Sequence, residues 1–296
     1  MCANCGCQGD KATMLDLQTD ETTTIDAAHF PQNAGHPHAY GHGHVHHAAH
    51  DHSDDHHRPG PHRHSADDHF HTHVNVVEVE TRILARNDAM AEKNRAWFAG
   101  REILALNLVS SPGAGKTTLL EQTIRDLAGK PPLHVIEGDQ ATANDGERIQ
   151  KAGASVVQVN TGTGCHLDAE MVGRALSALK PAPGAVVLIE NVGNLVCPAL
   201  FDLGERAKVV IFSVTDGEDK PLKYPHMFRA ASLVILNKID LLPHLDFSLE
   251  EAIENVRKVN PEATILQISA RTGERTGDWY DWLRHQLTAA RQSAFA

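Results

Sequence analysis

The chain has 296 residues, 41% of them hydrophobic, and a net charge of −11. That is ample for a large buried core, and the sign is wrong for generic nucleic-acid binding. No run reaches the roughly 18 apolar residues that a membrane span needs, and no basic-then-apolar leader opens the chain, so neither membrane nor export is expected.

The chain opens with Met1 to Gln8, MCANCGCQ, which holds three of the five cysteines. That arithmetic fits metal ligation in a reducing cytoplasm better than disulfides. Cys2, Cys5 and Cys7, spaced C-x-x-C-x-C, let a short loop close three thiolates on one soft cation. Removal of Met1 would add the amine of Cys2 as a fourth donor. The plain alternative is a tail with exposed thiols. Residues 9–28 are polar and read as linker. From His29 to His73 the chain carries 16 of its 21 histidines, among Gly, Pro, Asp and Ala. With few apolar residues this tract cannot form a core and is expected to be disordered. Imidazole suits Zn, Cu and Ni, so the tract is suited to loading many metal ions weakly. Residues 1–75 hold 10 acidic and 3 basic side chains, which favours cations, although a solvated spacer would share this composition.

Val76 to Phe98 has helical periodicity, with Val76, Val79, Ile83, Asn87, Met90, Asn94 and Trp97 near one face and Gly100 as its stop. Next comes an apolar run, Ile103–Val109, then Ser110-Ser111-Pro112-Gly113-Ala114-Gly115-Lys116-Thr117, then a helical pattern, Thr118–Leu127. Strand, glycine loop, Lys-Thr and helix form the context of a phosphate-binding loop. Gly113 and Gly115 let the backbone N–H groups of Ser111 to Thr118 turn inward, with Ala114 between them, and the helix adds its positive end. Lys116 can reach the β- and γ-phosphates, and the Thr117 hydroxyl can ligate Mg²⁺. Ser110 stands where the usual pattern has glycine.

From there strands and helices alternate. Apolar runs at Leu133–Glu137, Ser155–Val159, Val186–Ile189, Val209–Val214, Leu233–Leu236 and Thr264–Ile268 make seven strands with Ile103–Val109. Helical patterns fall at Asp145–Ala152, Asp168–Leu179, Leu249–Val259 and Asp278–Ala290. This predicts an α/β fold of the P-loop NTPase kind, a mostly parallel sheet covered on both faces, with ligands at the strand carboxyl ends. The predicted organisation is a Cys-rich motif (1–8), a linker and His-rich tract (9–75), and a GTPase domain with a leading helix (76–296).

Two acids at strand ends, Asp139 and Glu190, are candidate Mg²⁺ holders and catalytic groups beside Lys116, either directly or through water. Cys165-His166 and Cys197 flank phosphate-sensing loops. They allow a three-ligand metal site, but buried structural cysteine is the more ordinary reading of the residues alone. Asn237-Lys238-Ile239-Asp240 closes a strand in the pattern of a guanine reader. Asp240 accepts from the guanine N1–H and amine, and adenine would leave it unpaired. Ser269-Ala270-Arg271 after the next strand backs the base. No counterpart of a water-orienting Gln is evident, so intrinsic hydrolysis should be slow unless a second subunit or another protein completes the site. His134, His226, His244 and His285 read as ordinary surface or packing residues.

Several motifs together resemble the hydrogenase nickel-incorporation GTPases, the HypB family of the dimerising GTPase class. They are Asn107–Thr118 (NLVSSPGAGKTT), Glu137-Gly138-Asp139-Gln140, Gly164-Cys165-His166, Glu190 to Pro198 (ENVGNLVCP) and Asn237–Asp240. The likeness spans Val76 to Leu287 plus the Cys-rich start, and Ser110 matches what that family carries. It implies a GTP-favoured homodimer with zinc (Zn²⁺) or nickel (Ni²⁺) held at the dimer interface by Cys165, His166 and Cys197. It also implies a nickel-binding hydrogenase accessory protein and an immature hydrogenase large subunit as partners. The function expected is a GTP-hydrolysing nickel metallochaperone for nickel–iron hydrogenase. The alternatives are a urease-accessory GTPase, disfavoured by Cys2, Cys5 and Cys7, and a nickel store with a secondary GTPase part. A small-molecule kinase would need an acceptor pocket that no motif supplies.

Overall fold

A computed structural model describes residues 12–25, 76–140 and 142–293. Cys2, Cys5, Cys7 and the His29–His73 tract lie outside the described residues. Each of the seven expected strands is present: β3 (Leu104–Ser110), β4 (Leu133–Asp139), β5 (Ser155–Asn160), β6 (Val186–Glu190), β7 (Ala207–Ser213), β8 (Leu233–Asn237) and β9 (Thr264–Gln267). They run parallel in the order β5-β4-β6-β3-β7-β8-β9. The expected helices are α1 (Val76–Ala99), α2 (Lys116–Leu127), α3 (Asn144–Ala152), α4 (Ala169–Leu179), α7 (Leu249–Val259) and α8 (Thr276–Ser293). Two short proline-led helices that periodicity did not reveal, α5 (Lys220–Lys223) and α6 (Pro225–Ala230), precede β8.

Period-two alternation along the strands builds two cores. Leu104, Leu106 and Leu108 of β3 face Leu119, Leu120 and Ile124 of α2 and Trp279 and Leu283 of α8. Trp279 is fully buried, and its indole N–H is satisfied 2.9 Å from Thr123 Oγ1. On the opposite face Ala105, Val187 and Ile189 pack against Val172 and Leu176 of α4 and Phe98 of α1. Further along that sheet, Phe212, Val234 and Leu236 meet Phe228 of α6 and Val256 of α7.

The linker expected over residues 9–75 is corrected at its start. Strands β1 (Ala12–Asp16) and β2 (Glu21–Ile25) form an antiparallel hairpin, and β1 pairs antiparallel with β5, Thr13 opposite Asn160. The sheet of the described residues therefore has nine strands and begins β2-β1. Ala12 and Met14 join the α4-side core while Leu17 packs on the other. The threonines of β2 occupy the edge, where one polar side faces water and apolar alternation is weak.

From Asn87 onward the leading helix packs the face that periodicity indicates, with Ala91 and Phe98 added, while Ile83 of that face stays in solvent. Asn87, Ala91, Asn94 and Phe98 are buried, Met90 and Trp97 are half-buried, and Ile83 is exposed. The two amides are not wasted in the interior. Asn87 donates to Asp202 O at 2.7 Å and accepts from Ala169 N at 3.0 Å. Asn94 donates to Ala169 O at 2.7 Å and Leu203 O at 3.0 Å. Polar side chains that satisfy loop and helix-end backbone groups can be buried at little net cost.

Candidate functional site

The phosphate-binding loop forms where sequence placed it. Ser110 ends β3, Gly113 and Gly115 adopt φ of +74° and +97°, and α2 begins at Lys116. Residues 112–118 wall one side of a cleft of about 470 Å³ at the strand carboxyl ends. Glu137 to Gln140, Asp145, Arg148 and Glu190 to Gly193 form the rest. Lys116 is buried and donates to Ser110 Oγ at 2.9 Å. Ser111 Oγ donates to Asp216 Oδ2 at 2.7 Å, which ties the loop to the turn after β7. Arg148 lies at the cleft from α3, held by Glu121 and Asp145 at 2.8 Å each.

Thr117 Oγ1 donates to Glu190 Oε1 at 2.8 Å. Register places Glu137 of β4 directly beside Glu190 of β6. Both are buried, and Oε2 of each has no hydrogen-bond partner. Burial pushes the Glu137 carboxyl up to about 9, with Glu190 and Asp139 adding to the rise. Burial also raises Glu190, against the pull of Lys116 and Thr117. Two orphaned carboxylate oxygens beside a threonine hydroxyl form a hard donor set that suits Mg²⁺.

Asp139, a cleft-lining residue, also holds the turn that follows β4. Its Oδ1 accepts from Gln140 N at 2.7 Å, and its Oδ2 from Thr142 N at 3.0 Å and Thr142 Oγ1 at 2.6 Å. The carboxylate thus shapes the turn into α3, an Asx-type arrangement. Glu137, passed over in the sequence, holds the buried position. The available signal was a carboxylate ending an apolar strand run in the same four-residue segment.

The tetrad after β8 braces the loop. Asn237 Nδ2 donates to Ala114 O at 2.8 Å while its Oδ1 accepts from Ala270 N at 3.0 Å. Lys238, at φ +64°, donates to Gly113 O at 2.7 Å. Asp240 Oδ1 accepts from Ser269 Oγ at 2.6 Å. The fold therefore brings Asn237, Lys238, Asp240, Ser269 and Ala270 to the flank of the loop.

The remaining candidates converge as well. Cys165 Sγ lies 3.0 Å from Cys197 Sγ and 3.6 Å from His166 Nδ1. One ligand atom from each residue falls within 4.8 Å of the others, the only such trio among the described residues. Cys197 opens a 3-10 turn, Cys197–Ala199. The His166 ring packs on Phe201, centroids 3.9 Å apart, and burial lowers its pKa to about 4, which keeps the imidazole neutral at neutral pH. Two thiols and a neutral imidazole are a soft-to-borderline donor set for zinc or nickel, with a fourth position open. His226, His244 and His285 are exposed, and half-buried His134 sits early in β4.

The nucleotide-binding domain model of the CobW/HypB/UreG family matches residues 104–267. The hydrogenase maturation factor HypB of Rhizobium leguminosarum bv. viciae is 57% identical over 218 residues, 74% of this chain and 72% of that protein. The chain belongs to the HypB family. The HypB of Escherichia coli K12 is 56% identical over 214 residues, 72% of this chain and 74% of that one. A crystal structure of HypB from Helicobacter pylori in complex with nickel is 36% identical, with a TM-score of 0.65 over 69% of this chain and 96% of that one. HypB from Archaeoglobus fulgidus superposes with a TM-score of 0.64 at 37% identity, covering 69% of this chain and 99% of that one. The residues matched by the family model, 104–267, contain both the cleft and the thiol–imidazole cluster. No helix among the described residues is long and apolar enough to cross a membrane.

Proposed function

We propose that this protein is a GTP-hydrolysing nickel metallochaperone that serves the maturation of nickel–iron hydrogenase in the cytoplasm. The observation that carries the reading is a cluster of two thiols and a neutral imidazole beside a phosphate cleft, Cys197 following the segment that walls it and Cys165-His166 hydrogen-bonded to that segment. Loop N–H groups and Lys116 bind the phosphates, and Asp240 reads guanine. Thr117, Glu190 and Glu137 would hold Mg²⁺, which when bound offsets phosphate charge. Burial and the neighbouring Glu190 favour the protonated form of Glu137, and a cation bound beside it would favour the ionised form. Nickel is cargo, taken first by Cys2, Cys5 and Cys7, stocked by the His-rich tract, and passed on from Cys165, His166 and Cys197. The working form is a GTP-favoured homodimer whose interface holds that cluster, and exposed Val196 and Leu200 beside Cys197 support such a contact. A nickel-binding accessory protein and the immature hydrogenase large subunit are the partners.

A 38% identical Helicobacter pylori relative carries the name hydrogenase/urease maturation factor HypB. That name supports a reading in which the same nickel device serves a second nickel enzyme. The test is hydrogenase activity in a strain deleted for this gene, with and without added nickel, complemented by the wild type, Lys116→Ala or Cys197→Ala. Failure of both variants in scarce nickel is expected. Full activity with Lys116→Ala would overturn the GTPase role and leave a metal store.

A further inference from the structure

We infer that Asn191 is the positioning residue through which the phosphate cleft sets the geometry of the Cys165, His166 and Cys197 cluster, an inference that rests on the metallochaperone reading above. Asn191 follows Glu190, whose carboxylate holds Thr117, and its own backbone N–H donates to Leu108 O at 3.0 Å. It lines the cleft and is 1% exposed.

The Asn191 side chain reaches the other way. Its Oδ1 accepts from Leu167 N at 3.1 Å and from Val192 N at 3.0 Å. Its Nδ2 donates to Asn107 Oδ1 at 3.3 Å, and Asn107 in turn donates to Glu205 Oε1 at 3.1 Å. Leu167 directly follows Cys165-His166. Three residues on, Asn194 Nδ2 donates to Cys165 O at 3.2 Å, while its Oδ1 accepts from Val196 N at 2.8 Å, one residue before Cys197. Both halves of the cluster are therefore suspended from the segment Asn191–Asn194, one half by hydrogen bonds and the other by the chain itself.

The same segment touches the phosphate loop without an intervening side chain. A Cβ on Gly193 would stand 3.2–3.3 Å from Pro112 backbone and ring atoms. A shift of this segment when the last phosphate arrives pulls on the two halves at different points, Leu167 at the start of the segment through Asn191 and Cys197 at its far end through the chain. Metal–sulfur bonds tolerate only a few tenths of an ångström, so a small shift of one ligand segment against the other changes affinity. Asn194 ties Cys165 to the Cys197 end of the segment, whereas Asn191 ties Leu167 to its start; without the Asn191 tie the Cys165-His166 half would follow Cys197 in either nucleotide state, and the affinity would no longer depend on the nucleotide. The two-site dependence is reciprocal: nickel must shift nucleotide affinity by the same factor.

The test uses the full chain with Cys2, Cys5 and Cys7 changed to Ser. The chain has five cysteines, so thiolate-to-nickel charge-transfer absorbance then reports only Cys165 and Cys197. Nickel is titrated against a competing chelator with GDP or a non-hydrolysable GTP analogue bound. The parent should show affinities that differ between nucleotides by about 5–150-fold. Asn191→Ala should bind both nucleotides and nickel but bring that ratio close to one. Asn191→Asp, which keeps an oxygen for Leu167 N and Val192 N, should preserve it, and so should Asn107→Leu, which cuts only the arm toward Glu205. If Asn191→Ala yields little folded protein, Asn191→Ser, whose shorter side chain cannot span to Leu167 N, takes its place with the same expectation. A ratio retained in Asn191→Ala or Asn191→Ser overturns the role of Asn191 and leaves the metallochaperone reading standing. Equal affinities in the parent overturn the coupling and this inference with it.

Discussion

Gly115→Ala should cost far more than Gly113→Ala, although both glycines sit in the same loop at positive φ. The conformational strain of a Cβ in that region is about 1–3 kcal/mol at either position. At Gly113 nothing lies within 4 Å of the new Cβ, so strain is the whole effect. At Gly115 the Cβ would lie 2.5 Å from Asn237 Nδ2. Asn237 is buried and must swing away, which releases Ala114 O at 2.8 Å and Ala270 N at 3.0 Å. Two hydrogen bonds at about 0.5–1.5 kcal/mol each add about 1–3 kcal/mol to the Gly115 variant alone. For a domain of this size that difference corresponds to a melting temperature lower by roughly 2–12 °C. The assay is thermal unfolding of both variants, with GTP affinity measured by calorimetry. A double-mutant cycle isolates the clash, because in an Asn237→Ala background Gly115→Ala should cost no more than Gly113→Ala. Equal melting of the two glycine variants, or an additive cycle, would refute the bracing role given to Asn237.

Lys116→Ala should abolish hydrolysis yet leave nickel binding at Cys2, Cys5 and Cys7 intact, and loss of that binding by dialysis would sink the separation of the two functions. Asp240→Asn should let xanthine nucleotides compete with GTP, since an amide donor then faces the base and about 1–3 kcal/mol of pairing changes sides. Unchanged GTP-over-XTP selectivity would refute that assignment. Deleting residues 29–73 should lower nickel stoichiometry in equilibrium dialysis. In the intact chain bound nickel should fall between about pH 7 and pH 5.5, because protonation near 6.5 removes the imidazole lone pair. Equal stoichiometry with and without the tract would rule out its role.

The chain's own order of residues determined the seven parallel strands, the six longer helices and the phosphate-binding loop. Those features depend on periodicity and on turn chemistry that spans a few neighbours, and both are written locally. The Cys165-His166 pair and Cys197 were visible as ligand types, but residues 32 apart in sequence meet at 3.0 Å only because β5 and β6 deliver their loops to the same rim. The choice between the acids of Glu137-Gly138-Asp139 needed tertiary structure. Alternation gives each residue a side, but the register of β4 against β6 decides that Glu137 stands by Glu190 while Asp139 turns to Thr142. The β1–β2 hairpin was illegible for a related reason: an edge strand has one partner and one wet side, so its sequence needs no strong apolar pattern. Periodicity put Asn87 and Asn94 on the packed face of their helix, but what makes an amide tolerable there, as at Asn191, is the distant backbone groups that need a partner, a matter that only packing settles.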